Sequence, residues 1–183
     1  MSKTDLSTYD NSWYSPKAGI VRRTLWYFTN QMVFNHGLLP FSILKTSILR
    51  LFGAKIGHGV HIKPSVNIKY PWLLEIGDYV WIGEKVWIDN LTQVKIGCNV
   101  CLSQGAMLLT GNHNYKNVNF DLMIGEIILE DGVWIGAKAI VCPGVACHDH
   151  SILSVNSVAT KDLVSHGVYM GNPAEMIKER EIS

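Results

Sequence analysis

A six-residue hydrophobic repeat is the strongest constraint on how this chain folds. In the C-terminal part an apolar residue returns at every sixth position, at Leu129, Ile135, Val141, Cys147, Leu153 and Ala159. Small or β-branched residues follow four positions later, as at Val133 and Ala139. This period fits neither a helix nor a simple alternating strand. It predicts an all-β solenoid in which three hexads make one triangular coil, and coils stack at roughly 4.8 Å.

The same repeat runs through the middle of the chain, with two small irregularities and one large one. Its apolar positions are Ile56, Ile62, Ile68, Ile76, Ile82, Ile88, Ile96, Leu102 and Leu108. The steps from Ile68 to Ile76 and from Ile88 to Ile96 are eight residues, which predicts two bulged corners. Leu108 and Leu129 are 21 residues apart. We therefore expect a solenoid over residues 54–161, with a loop leaving it at about 110–126.

The segments on either side of the repeat predict an N-terminal cap and a C-terminal tail. Residues 1–16 are expected to form a loose arm, and residues 17–52 to form helices that complete an N-terminal region, 1–53. An apolar stripe at helical spacing is expected to pack on the first coil, and it consists of Ile20, Val21, Leu25, Phe28, Met32 and Val33. A second helix is predicted at about 41–52. In the tail, 162–183, the sequence Gly171-Asn172-Pro173-Ala174 predicts a turn and a short C-terminal helix.

Peripheral membrane contact through residues 17–52 is the alternative use of this helical region. It is suggested by basic residues that stand beside aromatic ones, namely Arg22, Arg23, Lys45 and Arg50. The longest apolar stretch, 25–44, is interrupted by polar residues and is a poor transmembrane candidate. The start of the chain has no apolar segment of the signal-peptide kind. We therefore expect a cytoplasmic protein, with the inner face of the membrane as a further location.

Composition excludes some classes of function. The net charge of +1 gives no electrostatic argument for nucleic-acid binding. Four cysteines include the pair Cys98-x-x-Cys101, but no second pair completes a tetrahedral zinc site. We expect reduced thiols and no required metal.

The predicted loop carries the best candidate for chemistry. It begins Thr110-Gly111-Asn112-His113-Asn114-Tyr115, and His113 is its only histidine. Imidazole is the natural general base near neutral pH. Function in a solenoid also tends to lie where the repeat is interrupted.

Several motifs, in this order, resemble the left-handed β-helix acetyltransferases of the galactoside, maltose and xenobiotic type. Besides the loop, they are Val133-Trp134-Ile135-Gly136-Ala137, Cys142-Pro143-Gly144-Val145, Thr160-Lys161-Asp162 and Gly171-Asn172-Pro173-Ala174. The resemblance covers about residues 54–180. The segment 9–14, Tyr-Asp-Asn-Ser-Trp-Tyr, and the helical region are most similar to colanic-acid-type exopolysaccharide O-acetyltransferases.

The resemblance implies a left-handed parallel β-helix, a homotrimer with active sites between subunits, and acetyl-CoA as co-substrate. His113 matches the family's catalytic base, which takes a proton from a sugar hydroxyl as the oxygen attacks the thioester. The coenzyme would contact residues that match the family's cofactor site, namely Trp134, Ala137, Val155, Thr160, Lys161 and Lys178.

The acceptor side matches the family less well. A basic residue of galactoside enzymes is Glu175 here, and the family's acceptor-binding asparagine has no clear counterpart. Three residues are the candidates for acceptor binding: Asp89 and Asn90, which we expect at the outward corner after Ile88, and Asn112. The acceptor would be a sugar, a nucleotide sugar or a lipid-linked sugar.

Other functions remain open at this point. An N-acetyltransferase acting on an amino nucleotide sugar would use the same base. A metal enzyme like the γ-carbonic anhydrases would need three histidines near each other, and the remaining candidates are His58, His61, His148 and His150. A non-catalytic scaffold would have no need of the loop histidine or of Thr160 and Lys161.

Overall fold

The hexads form a parallel β-solenoid with three walls, as the repeat predicts. The protein is described by a computed structural model that covers residues 3–182. The first wall contains β1 (Lys55–Ile56), β4 (Leu74–Ile76), β7 (Val94–Ile96), β12 (Ile127–Leu129) and β15 (Ala146–Cys147). The second wall contains β2 (His61–Ile62), β5 (Trp81–Ile82), β8 (Cys101–Leu102), β13 (Trp134–Ile135) and β16 (Ile152–Leu153), and then β18 (Gly167–Gly171) and β19 (Ala174–Glu179). The third wall contains β3 (Asn67–Ile68), β6 (Trp87–Asp89), β9 (Met107–Leu109), β14 (Ile140–Val141) and β17 (Val158–Ala159).

The apolar residues of the repeat stack on one another inside the solenoid. On the second wall Ile62 is in register with Ile82, and Ile82 with Leu102. All three are buried, and so are Val60 and Val80, which precede the strands of this wall. A fully buried aliphatic side chain contributes roughly 1.5–3 kcal/mol. The register predicted from the sequence is therefore confirmed, and repeated burial along each wall holds the coils together.

All three irregularities of the repeat lie at one corner, where the chain passes from the third wall to the first. A 3-10 turn, Pro71–Leu73, occupies the first insertion, and residues 90–93, between β6 and β7, occupy the second. The third is a β-hairpin of β10 (Gly111–His113) and β11 (Leu122–Ile124), paired antiparallel. The loop expected at 110–126 thus leaves the solenoid as an ordered hairpin.

The N-terminal segment is docked on this corner, which differs from the loose arm expected for residues 1–16. The Asp5 amide donates to the Val118 carbonyl at 2.9 Å, and the Tyr14 hydroxyl donates to the Leu91 carbonyl at 2.8 Å. The Trp72 indole donates to the Pro16 carbonyl at 2.6 Å. These contacts place the arm beside the hairpin.

Two helices cover the first coil, as predicted. The first, α1 (Ile20–Thr29), continues as a π-helical turn, Asn30–Phe34, and the second is α2 (Ser42–Leu51). Trp26, Phe34 and Leu49 are buried against the end of the solenoid. Within residues 3–182, none of the helices is both long enough and apolar enough to cross a bilayer.

The predicted contact face of the first helix is wrong. Most of the apolar stripe expected to pack is exposed, because the buried positions are Trp26, Asn30 and Phe34. An uncovered coil ends in backbone groups without partners, and burying such groups is costly. Trp26 Nε1 donates to the Ile68 carbonyl at 2.9 Å, and the Asn30 amide bonds to the Asn67 side chain at 2.7 Å. The need for hydrogen-bond donors at the open coil therefore decides which face turns inward.

The predicted C-terminal helix is also wrong, because residues 174–179 form a strand. β18 pairs parallel with β16, and β19 returns antiparallel to β18. An open sheet edge leaves a row of unpaired backbone groups. Pairing with that edge outweighs the weak helix propensity of so short a segment.

Candidate active site

His113 lies at the end of β10, at the base of the protruding hairpin. Its backbone amide donates to Asn112 Oδ1 at 2.8 Å, and its Nδ1 is 2.8 Å from the Phe120 carbonyl oxygen. The imidazole stacks on the Phe120 ring, with centroids 4.4 Å apart and planes at 7°. Phe120 has a φ of 52°, so an unusual backbone turn points its carbonyl toward the histidine.

The contact with Phe120 fixes the tautomer of His113. A carbonyl oxygen can only accept a hydrogen bond, so Nδ1 carries the proton and donates it. In the neutral ring, Nε2 then holds a free lone pair. The hairpin therefore presents an oriented imidazole whose outer nitrogen can take a proton from a substrate.

Thr110 anchors the base of the hairpin. It is fully buried, and its hydroxyl donates to the Asp89 carbonyl at 3.0 Å and accepts from the Leu91 amide at 2.7 Å. A side chain at Gly111 would meet Leu91 Cδ1 at 2.5 Å. The Thr110-Gly111 pair therefore joins the hairpin closely to the insertion one coil earlier.

Tyr9 is a site residue that sequence reasoning missed. Its ring lies 5.8 Å from the His113 ring, and Thr8 bonds to Asn119 of the hairpin at 2.8 Å. The aromatic segment 9–14 is the signal that could have pointed to it. The sequence could not show that the arm folds back on a hairpin more than 100 residues away.

Four of the six predicted cofactor residues line one groove of about 1060 Å³ on the second wall. They are Trp134, Ala137, Val155 and Lys178. Val155 lies one coil further along the solenoid than Ala137. The Ala137 carbonyl accepts a hydrogen bond from the Asn156 amide at 2.9 Å. Trp134 Nε1 donates to Ser103 Oγ at 2.9 Å, which fixes the indole along the groove. Lys178 reaches the groove because β19 is a strand.

Thr160 and Lys161 lie elsewhere. Both are exposed and follow β17 of the third wall, at the same corner as the hairpin but two coils further along. Within one chain, the described lining of the groove includes neither of them, nor His113. The candidate residues thus divide into a corner set and a groove set.

The three candidates for acceptor binding differ in their exposure and in their bonding partners. Asn112 is exposed beside His113, and Asp89 is paired with Lys69 at 2.8 Å. Asn90 is fully buried, and its side chain bonds to the Tyr70 amide at 2.9 Å and the Tyr70 carbonyl at 2.6 Å. The outward position expected for Asn90 is therefore wrong, because this side chain holds the neighbouring insertion in place.

Among residues 3–182, no group of three or more His, Cys, Asp or Glu side chains comes close enough to hold a metal ion. All four cysteines are free thiols, and burial raises the pKa of Cys147 to about 12.

Comparison with known proteins decides the family. No protein-family model matches the chain. Over 160 residues the chain is 35% identical to an Escherichia coli K12 protein whose name is "Putative colanic acid biosynthesis acetyltransferase WcaF". The match covers 87% of this chain and 88% of that protein. The chain belongs to the hexapeptide-repeat acetyltransferases.

Further members of the acetyltransferase family resemble the chain over most of its length. It is 27% identical to the galactoside O-acetyltransferase of E. coli K12, over 90% of this chain and 80% of the enzyme. A solved galactoside acetyltransferase in complex with coenzyme A superposes with a TM-score of 0.75 at 25% identity, over 87% of this chain and 80% of that one. A Vibrio cholerae hexapeptide-repeat acetyltransferase complexed with acetyl-CoA gives a TM-score of 0.80 at 20% identity, over 88% of each chain, which supports the fold. The chain is accordingly an acyltransferase built on a left-handed β-helix.

Proposed function

We propose that this acetyltransferase transfers the acetyl group of acetyl-CoA to a sugar hydroxyl in exopolysaccharide biosynthesis. The observation that carries the proposal is the oriented His113, whose Nδ1 bonds to the Phe120 carbonyl and whose Nε2 is free. The sugar acceptor and the pathway are supported by the relatives, which are named for colanic acid biosynthesis and for galactoside O-acetylation. On this proposal the protein acts in the cytoplasm, at or near the inner face of the membrane.

The proposed reaction is a direct transfer. His113 Nε2 takes the proton of the acceptor hydroxyl while that oxygen bonds to the thioester carbonyl carbon. The carbon–sulfur bond then breaks, and the coenzyme A thiolate takes the proton from the imidazole. A general base of this kind contributes on the order of 10²–10⁴-fold in rate. Holding both substrates in one site supplies much of the remainder.

The coenzyme is proposed to lie in the groove of the second wall. Backbone groups near Ala137 and Val155 would bind the pantetheine arm, and Trp134 would contact it near the thioester. Lys178 would pair with a phosphate, since an ammonium group binds phosphate through charge-assisted hydrogen bonds. Asn112 and Asp89 remain the proposed acceptor contacts.

A complete site is proposed to need two copies of the chain. His113, Thr160 and Lys161 lie at the corner after the third wall, whereas the groove lies on the second wall. If the corner of one subunit faces the groove of the next, the base meets the thioester between them. A closed ring of three such contacts gives the homotrimer that the resemblance implies.

Calorimetry with acetyl-CoA and an acceptor screen test this proposal. We expect saturable binding of one acetyl-CoA per subunit, and thiol release that depends on a sugar acceptor. Mass spectrometry of the product, with mild alkaline hydrolysis, distinguishes an O-acetyl ester from an N-acetyl amide. Absence of acetyl-CoA binding at millimolar concentration would overturn the proposal, and an alkali-stable amide would replace the hydroxyl acceptor with an amine.

A further inference from the structure

We propose that the outer face of the helical cap is a docking surface for an anionic lipid bilayer. This cap face is defined by Val21, Leu25, Phe28, Met32, Ile43 and Leu51. The residues lie on α1, its π-helical extension and α2, all at the end of the solenoid where the first coil begins.

The cap face is apolar where a surface helix is normally polar. Along α1 and its π-helical extension, four apolar residues follow one another at steps of four, three and four: Val21, Leu25, Phe28 and Met32. Their side chains are between 57 and 71% exposed. That spacing places them in one stripe along the helix. The buried residues Trp26, Asn30 and Phe34 occupy a different face. A surface helix usually turns its apolar stripe toward the core, so this second stripe has no partner within the chain.

The second helix, α2, also turns a polar side chain inward and apolar side chains outward. Lys45 is fully buried, and its ammonium donates to the Lys63 carbonyl at 2.8 Å. Ile43 and Leu51 on the opposite side are 83 and 82% exposed. A lysine turned inward and two aliphatic side chains turned outward make sense if the outer side meets an apolar phase. Exposed apolar patches of this kind mark interaction sites.

Charge identifies the kind of partner. Residues 11–74, which include the cap and the first coil, contain eight lysines and arginines and no aspartate or glutamate. Two of the eight, Lys55 and Lys69, are paired with Glu75 and Asp89 of the next coil. The rest of the chain contains eight basic residues and all fifteen acidic ones. Lys17, Arg50 and Lys63 are exposed in this basic segment. Apolar residues beside exposed cations, with no acidic residue among them, fit the negative surface of a phospholipid leaflet.

The same charge argues against a second copy of the chain as the occupant. Two cap faces brought together would bring two uniformly basic segments together, and like charges facing each other are unfavourable. A bilayer containing anionic lipid offers both the opposite charge and the apolar layer. Docking would place the solenoid on end at the membrane surface, anchored by the two helices.

Vesicle co-sedimentation of the full-length protein tests the proposal. The probes are phosphatidylcholine vesicles with and without phosphatidylglycerol. The double variant is Leu25→Glu combined with Phe28→Glu. The matched control adds the same two charges at exposed apolar positions in the tail beyond the last coil, as Val164→Glu combined with Ile182→Glu. We expect binding to phosphatidylglycerol vesicles that weakens with salt, and a loss of about tenfold or more in the double variant alone.

Several outcomes would overturn the membrane proposal. Equal binding to both kinds of vesicle would show that anionic lipid is not the partner. Equal binding of the double variant and the control would show that the cap face is not the docking surface. A change in molar mass by light scattering in the double variant would reassign the face to contacts between copies. The salt and lipid dependence of the wild-type protein is decisive even if the double variant fails to fold. Acetyl-CoA binding, measured without vesicles, is independent of the result.

Discussion

At the residue scale, the proposed chemistry depends on one imidazole and on the groups that orient it. The Phe120 carbonyl holds His113 Nδ1, the Phe120 ring stacks on the imidazole, and Tyr9 approaches it from the N-terminal arm. None of these partners belongs to the solenoid wall. The histidine is therefore positioned by two segments that the repeat itself does not encode.

Replacing His113 with alanine should abolish transfer without unfolding the protein. We expect kcat to fall by roughly 10²–10⁴-fold, because the acceptor hydroxyl loses its base. Acetyl-CoA binding should persist, since the described groove lining does not include His113. Steady-state thiol release and calorimetry measure the two quantities. Turnover within a few-fold of the wild type would contradict the assignment of the base.

Tyr9 is expected to act as a positioning residue for His113. Tyr9→Ala should lower kcat by roughly tenfold and leave the KM for acetyl-CoA unchanged, because the ring supports the imidazole rather than the coenzyme. Tyr9→Phe keeps the ring and should retain most activity. If alanine and phenylalanine variants behave alike, or if only the KM for acetyl-CoA changes, the ring contact has no such role.

The lysines of the two candidate sets give a test of the coenzyme site. Lys178→Ala and Lys161→Glu should each raise the KM for acetyl-CoA more than that for the acceptor. For Lys178 we expect roughly a tenfold increase, the effect of losing one charge-assisted hydrogen bond. Lys63→Ala, an exposed lysine on the first coil, is the matched control. Equal changes in both KM values would count against the coenzyme assignment.

At the scale of elements, the two ends of the solenoid are where backbone groups most need partners from outside the repeat. Every interior coil has a neighbour on both sides, whereas the first and last coils each have an unpaired edge. The first coil is covered by helices that bring donors inward, and the last is extended by β18 and β19. Two of the three corrections to the sequence-based fold, the inward face of α1 and the strand at 174–179, concern these two edges.

The buried lysine of α2 should contribute measurably to stability. Lys45→Ala removes the donor to the Ile62 and Lys63 carbonyls and the packing of the lysine stem. We expect the free energy of unfolding to fall by about 2 kcal/mol or more. Urea denaturation at fixed protein concentration measures this change. Lys63→Ala should stay within about 0.5 kcal/mol of the wild type, and an equal loss in both variants would refute a capping role for Lys45.

At the scale of the whole molecule, the division between corner and groove predicts complementation between two inactive variants. His113→Ala lacks the base, and Val155→Trp should block the groove of its own chain. Co-expressed in one cell, the two should form mixed trimers in which some sites receive a wild-type histidine and a wild-type groove. Random mixing restores about a quarter of all sites, and about a third of the sites in trimers that contain both variants.

Thiol release by co-purified, differently tagged chains measures this recovery. Each variant expressed alone is the control and should remain inactive. Failure of mixed trimers to regain activity would place the base and the groove within one chain and would contradict the shared site.

The sequence by itself determined the solenoid, its register and the place where it is interrupted. The six-residue period fixes which side chains point inward, and the alignment of Ile62, Ile82 and Leu102 follows from it. His113 could be found because it stands in the one long break of that period. Local spacing was enough, because each coil depends only on its immediate neighbours.

Only the tertiary structure decided what happens at the edges and across long separations. The inward face of α1 depends on the backbone carbonyl of Ile68, which lies 42 residues from Trp26, and the strand at 174–179 depends on the sheet edge formed by β16 and β18. Tyr9 reaches His113, and Asn90 turns inward to Tyr70, for the same reason. No local pattern reveals these ring contacts and hydrogen bonds, because each partner is distant in the sequence and adjacent only in the folded chain.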